Sequence, residues 1–292
     1  MNRIQLLRLF NPTIRIFGLF GGDEKYYQNI KKSLGNELEH IYCIPGKSAK
    51  WNWRNGDLAL KLWYRDYGKD LLFDMLHIIE WDLLVLNSIS QVYKCIPENG
   101  VGLSGLTLLK NMDKEWYWTT KEPYKTEWEK LLAFVKDKYN YNMELYACIA
   151  GGACFPKAFI EKYSATDIPE LCNDEARLPL FAQIFGFKLY DTGIYNRFNV
   201  DEFKYFNLKQ QINTQIILKE ISTVEGKRVF HPYYKVFCKL AVCNHWYNVW
   251  HSIVYFAEHK IIEPIKLILI KLLGHRLYKA IKEKLKKSRL KN

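Results

Sequence analysis

Four short segments of the chain carry side chains of types and spacings that could do chemistry. Glu80-Trp81-Asp82 closes an apolar run that begins at Leu76. On an extended chain residues i and i+2 point the same way. Two carboxylates so placed could bind one hard cation, Mg2+ or Mn2+, which would neutralise a diphosphate. Acids that cap a turn or meet nearby lysines are the plainer reading of this triplet alone. His231-Pro232-Tyr233-Tyr234-Lys235 follows about 150 residues later. A neutral imidazole could complete a shell of two acids and one nitrogen, and Lys235 could pair with phosphate oxygens. A surface histidine before a proline turn accounts for the same residues. Asn173-Asp174-Glu175-Ala176-Arg177 has the composition of a helix start, with an N-cap and acids that suit the dipole. A carboxylate there, facing a cleft, could instead deprotonate an acceptor hydroxyl. Arg177 either pairs with one of these acids or contacts an anionic substrate. Gly151-Gly152 follows an apolar run from Leu145, and its lack of side chains would let backbone approach a ligand closely.

These segments need elements to hold them. Residues 13–20 read as a buried strand ended by Gly21-Gly22, 23–34 as a helix, and 40–44 as a second strand closed by Pro45-Gly46. Asn55-Gly56-Asp57 opens a helix to about residue 67, and 76–82 reads as a strand ending in its two acids. Strands alternating with helices from the start predict an α/β sheet, largely parallel. Further on, Thr126 and Glu129 form a capping-box pattern. Trp128, Leu131, Leu132 and Val135 follow on one helical face. Pro156 suits the first turn of a helix to Lys162. Another helix runs from 173 to about Gly186, then a strand over 187–190. Residues 215–218 and 229–232 read as short strands, 241–258 as an aromatic helix, and Pro264 restarts a last helix.

Composition sets the outer limits. The 292 residues suffice for one large domain or two small ones. Hydrophobic residues at 49% and charged residues at 25% exclude collagen-like, low-complexity and disordered chains. Seven cysteines, an odd count without any CxxC, indicate neither a disulfide framework nor a zinc knuckle, and fit a reducing compartment. The apolar stretch 4–10 is short, carries Arg8 and lacks a small-residue cleavage site, so no secretory leader is predicted. Of the net charge of +12, residues 260–292 hold +9, from eleven Lys or Arg against Glu263 and Glu283. The first 259 residues therefore hold only +3. A near-neutral body with a basic tail argues against a body-wide nucleic-acid surface.

Taken in order, these features resemble the GT-A superfamily of nucleotide-sugar-dependent glycosyltransferases, over roughly residues 13 to 236. The resemblance rests on a βαβ start, an acidic pair closing a strand, Gly-Gly before a helix, an Asp-Glu helix start and a late His-Pro-x-x-Lys. It implies a Rossmann-like α/β fold with a mixed, mainly parallel sheet flanked by helices, and a C-terminal helical extension. It implies that Glu80 and Asp82 match the DxD-type motif, with Asp82 the direct ligand of Mn2+ or Mg2+, and that His231 is the late metal ligand. Lys235 would touch the donor diphosphate. Gly151 and Gly152 would line the sugar and acceptor pocket, with Arg177 beside them, and Asp174 or Glu175 would stand at the base position. Phe20 and Gly21, at the end of the first strand, would lie near the nucleotide, where Asp57 could also touch the nucleoside or simply cap its helix. The implied partners are a nucleotide-sugar donor and a glycan or lipid-linked acceptor, in cell-surface polysaccharide or glycoconjugate synthesis.

The last segment completes the expected organisation: a catalytic domain over 1–240 and a helical extension over 241–292. Lys266 and Lys271 interrupt the apolar stretch 265–273, which falls short of a spanning helix. A basic amphipathic helix over 260–292, lying on an anionic membrane surface, fits better. The chain is thus expected to be cytoplasmic and peripherally membrane-associated, with no nucleic acid as partner. Three other readings stand beside this one. A nucleotidyltransferase would want a basic Gly-rich loop where this chain has Gly21-Gly22-Asp23-Glu24. A nucleic-acid-binding protein would use the basic tail. An inactive membrane-associated scaffold would keep the fold without the reaction.

Overall fold

Buried apolar runs separated by glycine, proline and asparagine punctuation give short strands and helices in close alternation. The computed structural model describes residues 2–112, 116–196, 200–208 and 210–237. Helix α1 (Asn2–Phe10) leads into strand β1 (Phe17–Phe20), α2 (Tyr27–Leu34), β2 (His40–Cys43), α3 (Ala49–Arg54) and α4 (Gly56–Asp66). Then come β3 (Met75–His77), β4 (Leu84–Val85), α5 (Ile89–Val92), β5 (Val101–Leu108), α6 (Tyr117–Thr120) and α7 (Tyr124–Tyr139). The rest is β6 (Tyr146–Pro156), α8 (Lys157–Ala165), α9 (Asp174–Ile184), β7 (Leu189–Asp191), α10 (Thr214–Ile221) and β8 (Val229–Phe230). The described residues form two compact units: the chain up to Ile212 with Lys227–Val236, and Asn213–Gly226 with Phe237. The second unit holds α10, whose N-cap Asn213 accepts from the Gln215 amide.

The first unit is organised around a four-stranded sheet in the order β3-β6-β5-β7. Its two long strands, β5 and β6, are buried along most of their length because helices cover them. Trp128, Leu131 and Val135 of α7, Phe159 and Tyr163 of α8, and Phe181 of α9 join Leu103 and Phe155 in one core. Fully burying such side chains contributes about 1.5–3 kcal/mol each.

The fold is mixed α/β, as expected, but the sheet is not mainly parallel. Among the described strands, β3–β6, β5–β6 and β4–β8 pair antiparallel, while β1–β2 and β5–β7 pair parallel. A strand buried on both faces shows the same continuous apolar run whichever way its neighbour points, so pattern alone does not fix direction. Residues 215–218, expected as a strand, lie inside α10, because the Asn213 cap starts a helix there. Helix α7 begins at Tyr124, two residues before the expected cap; Thr126 instead donates to Glu122. Strand β6 runs straight through Gly151-Gly152, with Gly152 at φ +78°, a backbone conformation that glycine adopts freely. The expected helices over 241–258 and from Pro264, the extension 241–292 and its basic segment 260–292 lie outside the described residues.

Candidate metal centre

Two chain segments about 150 residues apart meet through β4 and β8. Their antiparallel register pairs Leu84 with Phe230 and Val85 with Val229. Just beyond that pairing, the Asp82 carbonyl accepts from the Tyr233 amide at 2.9 Å. His231 is held from its other side by the segment after α9: its amide donates to the Tyr205 carbonyl at 3.0 Å, and its carbonyl accepts from Asn207 at 2.7 Å. Glu80 and Asp82 are not on a strand. β3 ends at His77, and the Leu83 amide closes a turn on the Glu80 carbonyl at 3.0 Å. That turn, rather than strand alternation, makes both acids face one point.

The three side chains converge there. His231 Nε2 lies 3.5 Å from Glu80 Oε2 and 3.5 Å from Asp82 Oδ1. One ligand atom from each residue lies within 4.8 Å of the others, so the group could hold a metal ion. Four features suit an ion. The donors are two carboxylate oxygens and an imidazole nitrogen, a set that favours Mn2+ over Mg2+. His231 Nδ1 lies 3.2 Å from the Asn207 carbonyl, to which it can donate, and this fixes the tautomer that leaves Nε2 for a ligand role. The Phe206 ring stacks on the imidazole at 4.5 Å and fixes its plane. Gly151 leaves the space that the Glu80 carboxylate fills, since a Cβ there would come within 2.3 Å of Glu80 Oε2.

The electrostatics show what the site does to its own groups. Burial holds the Glu80 carboxyl above its ordinary range and the Asp82 charge adds to this, against the pull of His231. For His231, burial disfavours the imidazolium, but the contact with Asp82 and the charges of Asp82 and Glu80 outweigh it and raise the pKa. A proton on His231 thus does part of the work of a cation between the two acids. Arg3 of α1 adds a further positive charge: its Nε donates to the Tyr233 carbonyl at 3.0 Å, and its guanidinium interacts with Asp82. Nothing in the sequence around Arg3 signals this position.

The other expected site residues divide into two groups. Gly151 stands beside Glu80, whereas Gly152 faces Ile194, Ser104 and Leu83, and its amide donates to the Ile78 carbonyl at 3.1 Å. Asp174 is buried, its Oδ1 accepts from the Glu175 amide at 2.9 Å, and it interacts electrostatically with Glu80. Burial, then Asp57 and Glu175, with a smaller part from Glu80, push its carboxyl well up against the pull of Arg177. Glu175 is half-buried, and its Oε2 accepts from the buried Trp118 indole at 2.6 Å. Trp118, missed by sequence reasoning, thereby fixes the Glu175 carboxylate. Lys235 is exposed, four residues beyond His231.

Asp57 and Arg177 have a task inside the protein. Their side chains are 0% exposed and joined as a two-pronged ion pair: Nε to Oδ2 at 2.7 Å and Nη2 to Oδ1 at 2.6 Å. Tyr163 also donates to Asp57, and Arg177 donates to the Leu171 carbonyl and to Asn55 Oδ1, each at 2.8 Å. Phe20 packs against Tyr27, and the Gly21 carbonyl accepts from Asn52 at 3.1 Å, which ties the end of β1 to α3. Comparison with protein-family models, curated proteins and solved structures finds no match to this chain. Among the described residues, no helix is long and apolar enough to cross a membrane.

Proposed function

We propose that this chain is a metal-dependent glycosyltransferase of the GT-A type, transferring a sugar from a nucleotide-diphosphate donor to a glycan or lipid-linked hydroxyl. The observation that carries the reading is the convergence of Glu80, Asp82 and His231 on one point, with the buried acid Asp174 electrostatically linked to it. Glu80, Asp82 and His231 would hold Mn2+ or Mg2+; such an ion, when bound, supplies the positive charge that a departing diphosphate needs. Lys235 offers a second cation on the same segment. Gly151 leaves room for the Glu80 carboxylate. Glu175, oriented by Trp118, is the base: it takes the acceptor's proton as the hydroxyl oxygen bonds to the anomeric carbon. The bond from that carbon to the diphosphate breaks, and the diphosphate leaves with the electron pair. Burial and the neighbouring acids raise the Asp174 carboxyl pKa, which lessens the like charge next to Glu175. Membrane association through 260–292 would bring the enzyme to a lipid-linked acceptor.

The test is thermal stability with UDP-, GDP-, CMP- and TDP-sugars, each with and without Mn2+, for wild type and Asp82→Ala. A donor at about 100 times its Kd stabilises by about 2.7 kcal/mol. The expected result is a Mn2+-dependent rise with one nucleotide class, absent in an Asp82→Ala protein that melts like wild type without ligand. No rise with any donor in folded wild type overturns the reading.

A further inference from the structure

Two large rings stand in solvent beside Trp118, the residue whose indole holds Glu175. Trp53, on α3, is 65% exposed, and Tyr117, on α6, is 50% exposed. Both touch the same buried indole, Trp118: Trp53 at 5.8 Å and 47°, Tyr117 at 5.2 Å and 81°. Tyr124 backs Trp118 edge-on at 4.8 Å, so the indole is wedged in place. Its N–H is spent on Glu175. Two exposed rings and one half-buried carboxylate are therefore gathered around a single fixed side chain, from parts of the sequence more than 50 residues apart.

The arrangement selects among ligands. An exposed aromatic face offers apolar area that a polar ligand covers only if it has an apolar face of its own. A pyranose has one, formed by its axial C–H bonds, and a rim of hydroxyls that donate to carboxylates. The planes of Trp53 and Tyr117 differ by at least 34°, given their angles to Trp118, so they cannot clamp a flat base between parallel faces. A phosphate would meet the Glu175 carboxylate, a like charge. The structure assigns Trp53 and Tyr117 to an acceptor subsite, a platform on which a neutral pyranose stacks with one hydroxyl directed at Glu175. The role of Glu175 as base rests on the glycosyltransferase reading; the binding of sugar does not.

The test uses the full chain without metal or nucleotide. An immobilised panel of neutral oligosaccharides is screened, and the best binder is titrated by calorimetry against wild type, Trp53→Ala, Tyr117→Ala and Tyr26→Ala. Tyr26 is 52% exposed and serves as an aromatic control outside the cluster. Wild type binds at least one neutral oligosaccharide, Trp53→Ala and Tyr117→Ala each weaken it about tenfold, and Tyr26→Ala leaves it unchanged. Should Tyr117→Ala fail to fold, Trp53→Phe, which keeps a ring, restores part of what Trp53→Ala loses. Absence of binding to any panel member by folded wild type overturns the assignment, as does undiminished binding by Trp53→Ala. Ring-dependent sugar binding in a protein indifferent to Mn2+ and donors supports the platform and overturns the transferase reading. A donor response without sugar binding does the reverse.

Discussion

Gly151→Ala separates the metal centre from the fold that carries it. A Cβ built at Gly151 lies 2.3 Å from Glu80 Oε2 and 2.8 Å from Glu80 Cδ, where ordinary contact begins near 3.4 Å. The carboxylate must therefore retreat by about 1 Å. It can do so cheaply, because it is the far end of a flexible side chain. Replacing glycine by alanine also restricts the unfolded chain, worth about 0.4–1 kcal/mol in favour of the variant. The melting temperature should thus stay close to that of wild type. The ion sees a different change. Disturbing a ligand's support costs about 10–100-fold in metal affinity, or about 1.4–2.8 kcal/mol. Mn2+ titration followed by electron paramagnetic resonance of the free ion reads this directly. Gly152→Ala is the contrasting variant: at φ +78°, with its Cβ 2.8 Å from Ile194 and 3.0 Å from Ser104 Oγ, it should lose stability itself. If Gly151→Ala binds Mn2+ as tightly as wild type, Glu80 is not a ligand and the geometry of the centre has been misjudged.

Three further outcomes follow from groups outside the triad. Arg177→Ala leaves Asp57 buried without its cation and should cost about 3–5 kcal/mol in urea unfolding; a stable Arg177→Ala protein would contradict a structural role for the pair. Burial holds His77 down to about 4, against 6.5 for the free side chain. A base whose folded pKa is lowered contributes stability that is present above pH 6.5 and lost as pH falls toward 4. The loss approaches about 3 kcal/mol, and His77→Gln should flatten that part of the stability profile; an unchanged profile refutes the assignment. Asp174 is the opposite case, an acid with a raised pKa. The unfolded chain ionises it first, so it weakens the fold increasingly as pH rises above about 4. Asp174→Asn should therefore raise the melting temperature at pH 7, with the gain fading in acid; melts of both proteins across pH read this.

What the sequence makes legible is local. Asn173 caps α9 by accepting from the Ala176 amide, and that helix was visible because Asn-Asp-Glu is a start signal in itself. The start of α4 after Asn55 was visible too, although the Asn55 side chain makes no cap bond there, as were β1 and β2 before their glycine and proline stops. Strand direction was not legible, since Val101–Leu108 and Tyr146–Pro156 are apolar runs that would suit either sense. Glu80, Asp82 and His231 could be named as ligand types, but the strand geometry invoked for the acids was not what joins them. Their meeting depends on the β4–β8 register and on the turn closed by Leu83, neither of which leaves a mark in composition. The union of Asp57 with Arg177, 120 residues apart, has no local signature either, and an arginine beside Asp174 in sequence reads naturally as its partner.

That last misreading bears on how the site is built. Arg177 follows Asp174 by three residues in α9, yet its fork is filled by Asp57, Asn55 and the Leu171 carbonyl. The guanidinium still lowers the Asp174 pKa at a distance, but burial and three acids outweigh it. Had Arg177 paired with Asp174 instead, Asp57 would be the uncompensated buried charge on α4, and Asp174 would be an inert ion-pair member. The observed choice pairs Asp57 with the arginine and leaves the Asp174 carboxyl without a cation, within electrostatic reach of Glu80. A fold selected for stability alone has no reason to arrange its acids in that order, because an unpaired buried carboxyl costs more than an exposed one. Unpaired buried acids next to a cluster of metal-ligand types are what sites of acid–base chemistry share. The position of Asp174, together with the triad, therefore supports the proposal of acid–base chemistry at this site.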